Sequence, residues 1–414
     1  MADAALAQDG GTPVRRAPWP APGPEFGPEE EAAVLEAVRS GQLWRHSGHH
    51  VRDLEAAFAA LHGAPAGSAV ASTSGTAAVH LAIGAIDPAP GDEIIVPPLT
   101  DFGTVIPVLA QNAVPVFADV RPESYCLDPE DVARRLSSRT RAIVAVHLFG
   151  APCDLRALRE IASAHGVALV EDCAQAPLAE FEGRPVGTHG DFGCFSLQQS
   201  KHVTAGEGGL TLCRDAAAAA EARLFADKGW PREGQIRTHV RFGMNYRMGE
   251  LQGAVAGAQL RRLPDIVARR RALAARLDAA LDGVPGVSIL RPPAGSRGSY
   301  WMYGFNVDGP LAARGAAAFA RAVRAEGVPL ASGYVPPLYL VPALQERRLY
   351  GGSGFPFDAP CSRPQPAFAP GLCPHAESMA RRLCYLPLHQ GLTPEDADDL
   401  TVAVRRVAAA FARI

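Results

Sequence analysis

The sequence is short of the features that announce metal, membrane or nucleic-acid function. Its eight cysteines (Cys126, Cys153, Cys173, Cys194, Cys213, Cys361, Cys373 and Cys384) form no CxxC pair and no Cys/His ligand spacing. That excludes a recognisable zinc site or disulfide framework. No apolar run approaches the roughly 18 residues a membrane helix needs, and MADAALAQDGGTPVRR has no apolar stretch after a basic start, so a cytoplasmic location is expected. No long block of like charge occurs and the net charge is only -3, which gives neither a nucleic-acid backbone nor an anionic membrane anything to bind. Internal repeats are absent as well. What remains is a protein whose expected partners are small molecules.

At 414 residues, with 48% hydrophobic and 20% charged residues, the chain can bury more than one hydrophobic core. Two domains are therefore expected. Residues 1–28 are rich in Pro and Gly and read as an extended arm packed on something else. Residues 29–248 read as a large domain, and 249–414 as a linker helix followed by a smaller C-terminal domain.

Helical spacing places Val34, Leu35 and Val38 on one face of a helix over 29–40. It places Leu54, Phe58 and Leu61 on one face of a second over 51–61, ended by Gly63. From Ala69 short β-branched runs alternate with helices: IIV (94–96), PVF (115–117), AIVAV (142–146) and VALV (167–170). The intervening helices begin near Thr76 and Gly103, at an Asp128 cap, and at an Asp154 cap closed by Gly166. Unbroken apolar strands between helices indicate an α/β fold with a mainly parallel sheet, whose ligands sit at the carboxyl ends of the strands. A long helix over 249–281 then leads to a strand at SYWMYGFNV (299–307), in which Trp301 reads as core. Residues 350–376 read as a surface excursion.

Three segments at strand ends carry chemistry. STSGT (72–76) opens a helix with small residues, which lets backbone N–H groups approach a phosphate, although most such loops are simple caps. LVEDCAQA (169–176) puts an acidic pair directly after a buried strand, where Asp172 by itself reads more readily as a capping or paired residue. FSLQQSKHVTAGEGG (195–209) holds one lysine, Lys201, among small polar residues after a short strand and not on an amphipathic helix. Taken together, a phosphate cradle, a carboxylate and a lysine are the parts of a pyridoxal 5'-phosphate (PLP) site: the carboxylate keeps the pyridine nitrogen protonated and the lysine bonds the cofactor.

These motifs, from GGTPVR (10–15) to YLPLHQGLT (385–393), resemble the DegT/DnrJ/EryC1/StrS family of PLP-dependent aminotransferases. FSLQQSKHVTAGEGG is most similar to the aminocyclitol aminotransferases acting on scyllo-inosose-type ketones, and SGQLWRHSG (40–48) is also similar to 3-amino-5-hydroxybenzoate synthases. The resemblance implies the PLP-dependent transferase fold type I, with a smaller α/β C-terminal domain. It assigns Lys201 to the covalent bond with the cofactor, Asp172 to the pyridinium and Gln175 to the phenolic oxygen. It assigns Gly75, Thr76 and Ser196 to the phosphate, with Asn245 reaching it from a partner subunit, and so implies a homodimer with sites at the interface. Relatives commonly carry an aromatic ring-stacking residue after the Thr of PxxT. Here PPLTDFGT places Asp101 there and Phe102 one residue later, so either Phe102 stacks or Asp101 faces the site.

The activity implied is transfer of an amino group from glutamine or glutamate to a ketone of a cyclitol or sugar-like acceptor, in secondary-metabolite biosynthesis. Nucleotide-sugar relatives more often carry His-Pro in place of Gln198 and Gln199, whose amides suit a polyhydroxylated ring or merely satisfy the loop backbone. The alternatives are a nucleotide-ketosugar aminotransferase, a 3-amino-5-hydroxybenzoate synthase-like enzyme, a non-transaminating PLP enzyme and a silent scaffold. Sugar dehydratases of the family typically have histidine at the lysine position, whereas this chain keeps Lys201 with His202 beside it. Trp44 and Arg45 are candidates for substrate contact across a dimer. His49 and His50 read as exposed loop residues, and His147 is open to either reading.

Overall fold

Strand-and-helix alternation over residues 69–213 becomes one seven-stranded sheet in the computed structural model, which describes residues 5–232 and 238–412. In chain order the strands are β1 (Ala69–Ser72), β2 (Glu93–Val96), β3 (Val114–Phe117), β4 (Thr140–Val146), β5 (Ala168–Asp172), β6 (Phe192–Ser196) and β7 (Gly209–Cys213). Their spatial order is β1-β7-β6-β5-β4-β2-β3. Only β7 runs against the others, pairing antiparallel with β1 and β6. Ile94, Ile95, Val144 and Val170 are fully buried, as expected for parallel strands covered on both faces. The carboxyl ends of β1, β2, β4, β5 and β6 consequently open on one side of the sheet, and all three chemical segments fall there.

Two of the connecting segments carry their own punctuation. Ser74 caps the helix Gly75–Ile86, its Oγ accepting from the Ala77 N–H at 3.0 Å. Asp154 caps Leu155–His165 in the same way, and Gly166 closes that helix at φ 62°, a backbone angle that glycine adopts without strain. The helix expected near Gly103 is shorter than its neighbours, a 3-10 turn Phe102–Thr104 followed by Ile106–Ala110.

The second core is built on an antiparallel sheet of Val287–Ile289, Met302–Val307, Leu383–Pro387 and Ala331–Ser332, covered by helices that include Pro394–Phe411. A 32-residue helix, Glu250–Leu281, joins the two bodies. Its N-terminal part, through Val267, buries Leu260, Leu263, Ile266 and Val267 in the large core, and the remainder buries Leu273, Leu277 and Leu281 in the small one. The N-terminal arm packs on the small body. Leu6 enters its core, Glu326 accepts from the N–H groups of Ala7 and Val14, and Arg15 pairs with Asp396 at 2.6 Å.

Three expectations change. The apolar face of helix Pro28–Ser40 is not buried within the chain: Leu35 and Val38 are exposed, and the helix buries Glu30 and Ala37 instead. The strand read over 299–307 starts only at Met302, because Tyr300 takes φ 54° and the chain turns there against Gly150. Residues 350–376 do more than run over the surface. Arg363 and Gln365 both reach Glu93 at 2.8 Å, Tyr350 donates to the Leu109 carbonyl, and Phe368 meets Phe117 edge-on, so the segment straps the edge formed by β3.

Candidate active site

The phosphate cradle begins where β1 gives way to its helix. A Cβ on Gly75 would lie 2.7 Å from the Ser196 Cβ, so only glycine lets the helix N-terminus meet the end of β6. Gly75, Thr76 and Ser196 thereby share one wall of a cavity of about 410 Å³. Backbone N–H groups of the first helical turn and the hydroxyls of Thr76 and Ser196 are there to take an anion.

Asp172, last residue of β5, is buried beneath the same cavity. Its Oδ2 accepts from the Thr104 hydroxyl at 2.8 Å and its Oδ1 from the Ala174 N–H at 3.1 Å. Thr104 is held in turn by Thr100, their hydroxyls 2.7 Å apart. Burial raises the Asp172 pKa against the opposing pull of Thr104, Ala174 and Lys201, so the carboxylate is oriented but short of a cationic partner. A protonated ring nitrogen would supply that partner.

Lys201 sits on the loop that follows β6. The Leu197 and Gln199 N–H groups donate to Gly208 and Gly206, and Lys201 N–H donates to Gln198, so the loop closes on itself and fixes the lysine's root. Its amine lies over the Trp301 ring, 4.0 Å from the centroid. Burial pushes the amine down to about 8, although Asp172 and Asp101 pull the other way. A free amine, able to attack a carbonyl, is thus accessible near neutrality.

Trp301 packs against the large core, as read from the sequence, and also lines the cavity. It precedes its strand and donates its indole N–H to the Ser200 carbonyl at 2.8 Å. Tyr334 and Thr104 are also in the cavity wall, and sequence reasoning passed over both. A threonine three residues beyond a cavity-facing aspartate was the only available signal for Thr104, and Tyr334 offered none. Gln175 is held by the Phe149 N–H on Oε1 at 2.7 Å, while its Nε2 donates to the Tyr334 hydroxyl at 3.2 Å. One amide hydrogen is left for a ligand oxygen.

At PPLTDFGT it is Asp101 that lines the cavity, whereas Phe102 is absent from the wall and packs against the large core. The cause is local: Asp101 Oδ1 caps the 3-10 turn by accepting from the Gly103 N–H at 2.7 Å, which keeps position 101 on the cavity side. The paired glutamines also behave differently from each other. Gln198 lines the cavity, but its Oε1 accepts from the Ser200 N–H and hydroxyl; Gln199 is exposed and outside the wall. Loop satisfaction is therefore what the Gln198 carbonyl does.

The remaining candidates lie elsewhere. His147 is buried between Glu171 and the Cys153 N–H. His202 turns away and its Nε2 meets the Ser299 carbonyl, burial keeping the ring neutral. His49 pairs with Asp53 and Glu36, and His50 with Glu36. Arg45 is engaged by Glu55 through two hydrogen bonds, while Trp44 and Asn245 are exposed and face no part of this cavity.

The site thus joins an anion cradle, a buried carboxylate awaiting a cation and an amine of depressed basicity, which is the donor set that PLP requires. Residues 24–405 match the DegT/DnrJ/EryC1/StrS aminotransferase family. The L-glutamine:2-deoxy-scyllo-inosose aminotransferase of Streptomyces fradiae is 38% identical, with 99% of this chain and 97% of that protein covered. Among solved structures, the aminotransferase TlmJ from Streptoalloteichus hindustanus aligns with a TM-score of 0.80 and 33% identity over 95% of this chain and 99% of its own. A 3-amino-5-hydroxybenzoic acid synthase aligns with a TM-score of 0.83 and 29% identity over 95% and 100%. Since the match runs through both bodies of the molecule and across every part of the cavity, the chain belongs to the DegT/DnrJ/EryC1/StrS aminotransferase family.

Proposed function

We propose that the chain is a PLP-dependent aminotransferase that carries an amino group from glutamine or glutamate to the ketone of a cyclitol or sugar-like acceptor. The observation that carries this reading is the shared cavity of Lys201, Asp172 and the Gly75–Ser196 contact. When bound, PLP supplies an electron sink for the carbon that loses or gains the amino group. Asp172 holds the ring nitrogen's proton, and Thr104 and the Ala174 N–H keep the carboxylate aimed at it. Gln175, fixed by Phe149 and Tyr334, offers its remaining amide hydrogen to the phenolic oxygen. Lys201 Nζ, uncharged in part near neutrality, would hold the cofactor covalently and would be the base that moves the proton at the reacting carbon. Ser196 and the first turn of helix Gly75–Ile86 take the phosphate.

Similarity to 2-deoxy-scyllo-inosose aminotransferases supports a cyclitol acceptor and glutamine as donor. Exposed Leu35, Val38, Leu43, Trp44, Val240 and Phe242 support a homodimer, in which the exposed Asn245 would reach the partner's phosphate. No helix among the described residues is long and apolar enough to cross a membrane, which accords with a cytoplasmic enzyme. The test is spectroscopic. Glutamine should bleach the visible band of the PLP-loaded protein, and 2-deoxy-scyllo-inosose should restore it. Restoration by a nucleoside-diphosphate ketosugar alone would reassign the acceptor while keeping the chemistry.

A further inference from the structure

Among the cavity's charged groups, Asp101 and Glu207 have no task in the chemistry above, and Asp101 is the one whose direction is fixed by a hydrogen bond at the cavity wall. Its Oδ1 is fixed by the Gly103 N–H at 2.7 Å, so the carboxylate has a set direction, and no hydrogen bond or ion pair engages Oδ2 among the described residues. Gly103 is needed for this placement: a Cβ there would lie 2.6 Å from the Thr76 Oγ1 and 2.8 Å from Asp101 Oδ1. The group is exposed, and its surroundings in the wall are acidic. Among the described residues, Asp101, Asp172 and Glu207 face the cavity with Lys201 as their single cation, and no Arg or His lines it.

A ligand that covers an unpaired carboxylate must bring a donor, or the oxygen loses its water without replacement. A hydroxyl can donate; a phosphate at pH 7 repels. We propose that Asp101 is a specificity-determining residue of the acceptor half-reaction, its Oδ2 accepting a hydrogen bond from a hydroxyl of a neutral polyhydroxylated ketone and disfavouring acceptors that carry a second anion. This rests on the acceptor reading given above and assigns to Asp101 the hydroxyl-accepting part that the Gln198 carbonyl, committed to Ser200, does not fill.

The test compares the wild-type enzyme with Asp101→Asn in each half-reaction separately, with 2-deoxy-scyllo-inosose and a nucleoside-diphosphate 4-ketosugar as acceptors. Asparagine keeps an oxygen for the Gly103 N–H, and an unchanged melting temperature and visible spectrum check that fold and cofactor are intact. The expected result is a rise of about tenfold in KM for the cyclitol ketone, the difference between a charged and a neutral hydrogen bond. The donor half-reaction should not slow, and the nucleotide-linked acceptor should gain relative to the cyclitol. An unchanged cyclitol KM in the variant, or equal slowing of both halves, overturns the inference and leaves the acceptor reading standing. If the wild-type enzyme turns over only the nucleotide-linked ketone, the acceptor reading and the inference fall together.

Discussion

Glu171 and Asp172 are adjacent on β5, both buried, and the fold treats their charges in opposite ways. Glu171 accepts from the N–H groups of Gly187, His189 and Gly190, each at 2.7 Å, and from His147. Those bonds outweigh burial and hold its pKa below the ordinary carboxylate value. Asp172 has two donors and a raised pKa. Because successive strand residues face opposite sides, one carboxylate stitches the turn before β6 while its neighbour is left under-satisfied toward the cavity. A saturated buried charge is structural, and one kept short of a partner is available to a ligand.

The largest expected effect lies at the amine that the Asp172 side addresses. Lys201→Ala should lose turnover on the order of 10⁴-fold or more in steady-state assays, since no other cavity residue among those described offers an amine. A borohydride-reducible cofactor adduct at another lysine would defeat this assignment. Next comes Asp172→Asn, expected to fold and bind PLP yet to lose about 10²- to 10⁴-fold in turnover. Near-normal single-turnover rates would mean that the ring nitrogen is held elsewhere.

Glu171→Ala should do the reverse, removing about 3–5 kcal/mol of stability in urea titrations because three N–H groups and His147 lose their acceptor. The specific activity of the surviving folded protein should change little. If activity collapsed while the urea midpoint held, the contrast between the two carboxylates would be wrong. A smaller effect is expected of Thr104→Val, about tenfold in turnover for one hydrogen bond to a charged oxygen, with little change in melting temperature.

Acid supplies the finest test, made on cofactor-free protein. Glu171 has a folded pKa below its ordinary 4.5, so its stabilisation is present above that pH and is lost as pH falls through the folded value. Asp172 has a folded pKa above its ordinary 3.8, so its ionisation costs stability near neutrality and the cost disappears as pH falls below 3.8. Near pH 7, Asp172→Asn should therefore be more stable than wild type and Glu171→Gln less, with all three converging in acid. Urea midpoints that stay parallel across the range would show that neither shift exists.

Strand order along the sequence, the caps at Asp128 and Asp154, and the Gly75, Asp172 and Lys201 positions were legible because each rests on local pattern: periodicity, a cap, or a motif at a strand end. The rest depends on contacts that no local pattern encodes. Trp301 sits in an apolar stretch and reads as core, yet Tyr300's turn swings it onto a lysine a hundred residues earlier. Thr104 meets Asp172 across 68 residues, and Tyr334 joins the site from the small body. At Asp101 and Phe102 a cap to the Gly103 N–H, which no pattern in the sequence encodes, puts Asp101 in the cavity wall.

The helix Glu250–Leu281 belongs to both hydrophobic cores, and that has a consequence for how the protein comes apart. Loss of either core strands half of a continuous helix in water, where an isolated segment is marginal, so the second core is weakened at once. The two bodies should act as one cooperative unit, giving a single calorimetric transition and no protease-resistant fragment corresponding to either alone.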